Sequence, residues 1–261
     1  MIKNIAVQGI CFDKKSSYLQ GTNLAPPLIR KKLWSSATNT FSEIHKDIKN
    51  CFSDLGDFKP NAYKDISSIT KKSLQDSNKL LTLGGDHSIT FPIIKEFIEV
   101  HKNFDIIHFD AHPDLYDKLQ GDKYSHACPF ARIMESGFSG NLIQIGIRTW
   151  TTHQIEQAKK FNIPINDIKN FKFDNSLLKN EKLYISLDMD AFDPAYAPGV
   201  SHPEPGGLSS RDVINIIQEL KGRMIGADIV ECNPKRDING LTSILAAKLM
   251  KEILSKMDER S

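Results

Sequence analysis

The chain has 261 residues, 40% hydrophobic and 25% charged, close to globular averages, which excludes intrinsic disorder and a fibrous repeat. Lysine plus arginine number 34 against 32 for aspartate plus glutamate, a formal net charge of +2 with no concentrated basic run, so no nucleic-acid partner is expected. No stretch approaches the ~18–20 uncharged apolar residues of a membrane span, and the start, Met1 to Ile10, has too short an apolar core for a signal peptide, which predicts no membrane partner and a cytoplasmic location. Short runs of Ile, Val and Leu, several followed by helix-spaced segments, predict an α/β domain on a mostly parallel sheet. In chain order the expected elements are a strand at 5–8, a helix at 26–33, a strand at 80–83, a helix at 90–101 and a strand at 105–109. A helix at 129–136, a strand at 142–147, a helix at 153–161, a strand at 182–187, a helix at 209–221, a strand at 226–231 and a helix at 241–256 complete the set. The polar, weakly patterned stretch 41–77 is expected to be irregular. Ser209-Ser210-Arg211-Asp212 is a capping-box start, and Val213, Ile216, Ile217 and Leu220 form an apolar stripe behind it that stops near Gly222. With no repeat or long linker, one domain over 1–261 is expected, and the four well-separated cysteines are expected as reduced thiols.

In open parallel sheets the site lies beyond the carboxyl ends of the strands. Acidic and histidine residues gather at those ends here: Gly84-Gly85-Asp86-His87-Ser88, Asp110-Ala111-His112-Pro113-Asp114, Asp188-Met189-Asp190 and Glu231-Cys232-Asn233. Asp110, His112 and Asp114 are spaced by two, as are Asp188 and Asp190, so in extended chain each set projects to one side. Four carboxylates aimed at one place resist ionisation unless cations neutralise them, and two divalent ions would do so. With His87 and His112 as nitrogen donors the set suits Mn²⁺ better than a structural zinc site. The bland readings are an Asx-turn at Asp188 to Asp193 and an N-cap role for Asp86; an EF-hand loop fails because Asp193 and Gly199 stand where Gly and Glu are needed.

These three clusters, with Asp193-Pro194, Pro198-Gly199 and Gly206-Gly207, resemble in content and order the ureohydrolase family of arginases and agmatinases, from the first strand to the last helix. The resemblance implies a three-layer α/β/α fold, two Mn²⁺ ions per chain, and hydrolysis of a small guanidino substrate to urea and an amine. It implies one ion held by His87, Asp110, Asp114 and Asp188, and the other by Asp110, His112, Asp188 and Asp190. Tyr124-Ser125-His126 places His126 where the family has a histidine proton shuttle, and Glu231 matches the glutamate that receives the guanidinium. Asp190 is the expected carrier of a proton to the leaving amine. Without the resemblance, His126 reads equally as a helix N-terminal residue and Glu231 as a strand-end surface carboxylate. A homo-oligomer, trimer or hexamer, is implied as well.

Substrate identity turns on the rim loops 115–124 and 200–205. Asp117, Asp122 or Glu204 suits an ammonium tail, which tilts the reading to agmatine, hydrolysed to putrescine and urea; Lys118 or Lys123 suits a carboxylate, which keeps arginine and other guanidino acids as alternatives. Ser201 and His202 stand where many relatives have Gly-Thr and are further candidates for substrate contact. Two other classes compete. A dinuclear metallophosphoesterase lacks its Gly-Asn-His-Asp/Glu motif here, and a non-catalytic metal-binding protein would have no need of His126 and Glu231 beside six intact ligands.

Overall fold

The computed structural model describes residues 4–166, 168–169 and 172–259, so Met1, Ile2 and Lys3 of the run weighed as a signal peptide lie outside the described residues. Among the described residues the strands are β1 (Ile5–Ile10), β2 (Phe52–Phe58), β3 (Lys79–Leu83), β4 (Asp105–Phe109), β5 (Leu142–Ile145), β6 (Lys182–Asp188) and β7 (Arg223–Val230). The helices are α1 (Ala25–Leu33), α2 (Asp65–Asp76), α3 (Thr90–His101), α4 (Pro129–Glu135), α5 (Thr152–Lys160), α6 (Ser210–Glu219) and α7 (Leu241–Met257). The strands form one sheet in the order β2-β1-β3-β7-β6-β4-β5, and every pairing is parallel. Parallel neighbours need crossover connections, and these bury both faces under helices.

Side-chain alternation divides the core in two. On β6, Leu183, Ile185 and Leu187 enter the core shared with α1, α6 and α7, while Tyr184 enters the one shared with α2, α3, α4 and α5. The result is the three-layer α/β/α arrangement. Ser209 caps α6 in a reciprocal box with Asp212, and the helix ends at Glu219, ahead of Gly222. Among the described residues no helix is long and apolar enough to cross a membrane.

The stretch 41–77 departs from expectation, because it holds β2 and α2. β2 lies at the sheet edge, so its sequence, Phe-Ser-Asp-Leu-Gly-Asp-Phe, carries little apolar signal, and its backbone pairing with β1 defines it instead. Arg30 of α1 holds the strand through Asp54 and Asp57. α2 buries Ile66, Thr70, Ser73 and Leu74 at helical spacing, and two of the four are polar, which hides the stripe. β5 stops two residues early, where Gly146 takes φ +98°.

The order of the middle strands decides where the polar clusters meet. β3, β7, β6 and β4 are immediate neighbours, and the four acidic or histidine clusters leave their carboxyl ends side by side.

Candidate metal centre and active site

Local backbone geometry delivers each ligand. Gly85 is required after β3, since a Cβ there would fall 1.8 Å from the Phe12 carbonyl oxygen. The Asp86 N–H donates to that carbonyl and the Asp86 carboxylate caps the turn His87–Ile89 by accepting from Ser88 N, so Asp86 is a cap and His87 is the residue projected inward. Asp188 ends β6 and accepts the Asp190 N–H at 2.7 Å, which sets the turn Met189–Ala191. Asp114 and Glu231 hold left-handed backbone, at φ +50° and +59°. Such strain in non-glycine residues clusters at functional positions.

The six expected ligands converge. His87 Nδ1 lies 3.1 Å from Asp110 Oδ2, 3.1 Å from Asp114 Oδ2 and 3.2 Å from Asp188 Oδ2. His112 Nδ1 lies 3.1 Å from Asp190 Oδ2 and 3.3 Å from Asp110 Oδ1. Asp110 therefore belongs to both halves, and its donor atoms form one group with His87 and His108 and another with His112 and Asp190. All four aspartates are buried. Burial, then neighbouring carboxylates, pushes Asp114 up to about 6 and Asp188 well above the carboxylate range.

Hydrogen bonds around His87 bear on what the cluster could hold. Ser186 Oγ donates to Asp228 Oδ1 at 2.7 Å, so it accepts from His87 Nε2–H at 2.9 Å. On the neutral ring the lone pair is then on Nδ1, a buried atom facing three carboxylates, which without a cation among them overcome burial, draw a proton onto the ring and raise its pKa well above the usual imidazole value. A lone pair aimed at anions is repelled unless a cation lies between them, and nitrogen plus carboxylate oxygen is a donor set for a divalent metal. The residues fit two such ions.

Several supporting residues carry no sequence motif. Asp228, fully buried, accepts from Ser186, Thr90 and Tyr184, and so fixes the His87 tautomer. His108, held neutral by burial at about 4, donates from Nε2 to Asp110 Oδ2 at 2.8 Å and accepts from Gln144 Nε2 at 3.0 Å. Arg148 donates to the carbonyls of Gly146, Asp190, Ala191, Phe192 and Glu204, tying the Asp190 turn to the rim. Partners that orient metal ligands change affinity by about 10- to 100-fold. Ser186→Ala and Asp228→Asn are accordingly expected to weaken divalent-metal binding by about that factor, measured by metal titration with a competing chelator.

Above the metal ligands lies a cavity of about 250 Å³, lined by His112, Asp114, Asp188, Asp190, His126, His202, Glu204 and Glu231, among others. Glu231 Oε1 accepts the His87 N–H at 2.9 Å and meets His126 Nδ1 at 3.2 Å, while its buried Oε2 has no partner. Burial opposes the charge on His126, but the Glu231 carboxylate, with Asp114 and Asp86 behind it, holds the imidazole at about 9. Its Nε2 meets Ser17 Oγ at 2.8 Å, and its ring stacks on His202 with centroids 5.0 Å apart. Ser17 belongs to an N-terminal loop that nothing in the pattern of the sequence connects with the site.

The other rim candidates fall elsewhere. Asp117 is exposed outside the cavity lining, with its carboxylate 3.1 Å from His153 Nε2. Ser201 is buried and turned away, donating to the Leu19 carbonyl and accepting from Asn233 Nδ2. Asp122 is paired with Lys15 at 2.6 Å, and neither Lys118 nor Lys123 lines the cavity. Glu204 is the remaining rim carboxylate. Thr149, Thr151 and Gln154, which the sequence did not single out, line the same cavity.

Comparison with known proteins agrees with this geometry. The sequence profile described as Arginase family matches residues 3–255. Arginase 1, mitochondrial, of Arabidopsis thaliana is 42% identical over 96% of this chain and 80% of its own length. Guanidino acid hydrolase, mitochondrial, of Homo sapiens is 32% identical over 94% of this chain and 76% of its own. The solved arginase from Medicago truncatula superposes with a TM-score of 0.88 at 39% identity, over 98% of this chain and 87% of that one. The mitochondrial designation of the Arabidopsis and Medicago relatives overturns the cytoplasmic location expected from the absence of a recognisable leader. On the profile match, the relatives and the shared fold, this chain belongs to the arginase family, hydrolases of guanidino carbon–nitrogen bonds.

Proposed function

We propose that the protein is a ureohydrolase that binds two Mn²⁺ ions and hydrolyses arginine to ornithine and urea. One observation carries the guanidino reading: Glu231 offers a buried, unpartnered carboxylate oxygen beside the metal ligands, where a guanidinium can take it. A guanidinium is planar and permanently charged, and charge-assisted bonds to one carboxylate fix its plane. When bound, the ions balance the four aspartates and lower the pKa of the attacking water. The roles of the protein side chains derive from their contacts. The Ala111 N–H holds Asp190 Oδ1 at 3.1 Å and sets Oδ2 3.1 Å from His112 Nδ1 at the cavity wall, from where the carboxylate would take a proton from the attacking water and pass it to the departing amine. His126, charged near neutrality and placed between Glu231 and Ser17, returns protons from solvent.

Arginine is supported by the names of the 40–42% identical plant relatives, whereas Glu204, a rim carboxylate available to an ammonium, serves arginine and agmatine alike. Agmatine is the second reading, favoured because no lysine or arginine among the described residues lines the cavity. A homo-oligomer, trimer or hexamer, is part of the proposal; exposed Ile238, Leu241 and Ile244 at the start of α7 offer it an apolar surface. The test is urea release by Mn²⁺-loaded protein from arginine, agmatine and 4-guanidinobutyrate, with the highest kcat/KM expected for arginine. Silence on all three with two metals bound would return the protein to the non-catalytic class.

A further inference from the structure

The start of α5 turns one hydrogen-bond donor toward the cavity with no partner among the described residues. Thr151 is the N-cap: its Oγ1 accepts from Gln154 N, and Gln154 Oε1 takes the Thr151 N–H at 3.2 Å and the Thr151 hydroxyl at 3.0 Å. An amide whose oxygen is held by a backbone N–H has its nitrogen turned the other way, so the cap dictates which end of the side chain is free. Gln154 is 3% exposed and lines the cavity, and among the described residues no acceptor meets its Nε2. The hydroxyl hydrogens of its neighbours are engaged, Thr149 to the Ala111 carbonyl and Thr151 to Gln154 itself. An amide donor open to the cavity and without a partner among the described residues is free to meet a ligand acceptor.

We propose that Gln154 is a specificity-determining residue, which donates from Nε2 to the carboxylate at the far end of a guanidino amino acid while Glu204 takes the ammonium. The inference rests on the ureohydrolase reading and sharpens its substrate class. Agmatine has no acceptor at that end and leaves the amide unpaired. A site built around a polar group rejects the analogue that lacks it more strongly than an apolar pocket rejects a size change.

Gln154→Glu is the discriminating variant. Glutamate at this third helical position keeps an acceptor for the Thr151 N–H, so the cap survives, but the freed end becomes a carboxylate oxygen. The expected result is a fall of about 10- to 100-fold in the arginine-to-agmatine ratio of kcat/KM, through a higher KM for arginine and a lower one for agmatine. Gln154→Ala, which removes the donor without adding charge, lowers the ratio by less. Equal shifts for both substrates in Gln154→Glu, or an unchanged ratio, would overturn the proposal. Calorimetric titration of the Mn²⁺-loaded variants with ornithine and putrescine reads the same preference without turnover: weaker ornithine and tighter putrescine binding support it, and equal changes overturn it. If the unaltered protein releases urea from neither substrate, the ureohydrolase reading fails while the titration still decides the role of Gln154.

Discussion

Asp110→Asn is expected to give a folded protein that no longer holds two metal ions and whose urea release falls by at least about 10²–10³-fold. Asp110 is the carboxylate common to both halves of the cluster, with Oδ2 toward His87 and Oδ1 toward His112. An amide in its place removes one of four balancing charges and turns an acceptor into a donor aimed at an imidazole nitrogen. Without metal the ionised Asp110 is held, against burial, well below the usual carboxylate range by His108, His112 and His87, so the apo variant, which loses that charge and an acceptor, should melt below the apo parent. Metal content by elemental analysis, melting with and without Mn²⁺, and urea release together check this. Asp190→Asn should lose turnover to a similar degree, and full activity in either metal-loaded variant would remove these residues from the centre.

Glu231→Gln is the second large effect, with an expected loss of about 10²-fold or more in kcat/KM, since the amide cannot neutralise the guanidinium. It also has a pH signature. Burial lowers the His126 pKa and the Glu231 carboxylate more than restores it, to about 9 against ~6.5 in the unfolded chain. A raised folded pKa contributes stability that is complete below about 6.5 and is lost as pH rises through about 9. In Glu231→Gln that dependence should flatten, and the His126 imidazole should titrate well below 9. Denaturant melts across this range and the NMR shift of the His126 ring check both; an unmoved His126 titration would contradict the pairing.

The convergence of the six expected ligands was readable in the sequence because each comes from a motif of a few residues at a strand end, and period-two spacing predicts direction in extended chain. His126 and Glu231 needed the family resemblance, since one residue at a loop and one at a strand end have no spacing to interpret. Ser17 and Asp228 were invisible for a different reason. Their roles depend on which distant segment packs beside them, as with Ser17 against His126 across 109 positions. Asp117 and Ser201 show the converse, where loop residues of suitable chemistry point elsewhere: backbone direction in a loop is set by contacts such as the Leu19 carbonyl on Ser201. β2 escaped notice because an edge strand takes its identity from hydrogen bonds to β1 and little from its own side chains.

The adjacency of β3, β7, β6 and β4 gives the metal centre a mechanical meaning. His87 and Asp188 ride on strands separated by β7 in the sheet, and their segments lie about a hundred positions apart in the chain. An ion gripped by both is a staple across the middle of the sheet, closing a loop as long as a small domain. Ligands that bind the native state alone stabilise it by mass action, so occupancy of the centre and integrity of the sheet are one equilibrium. Loss of an ion held there would loosen the protein at its central seam.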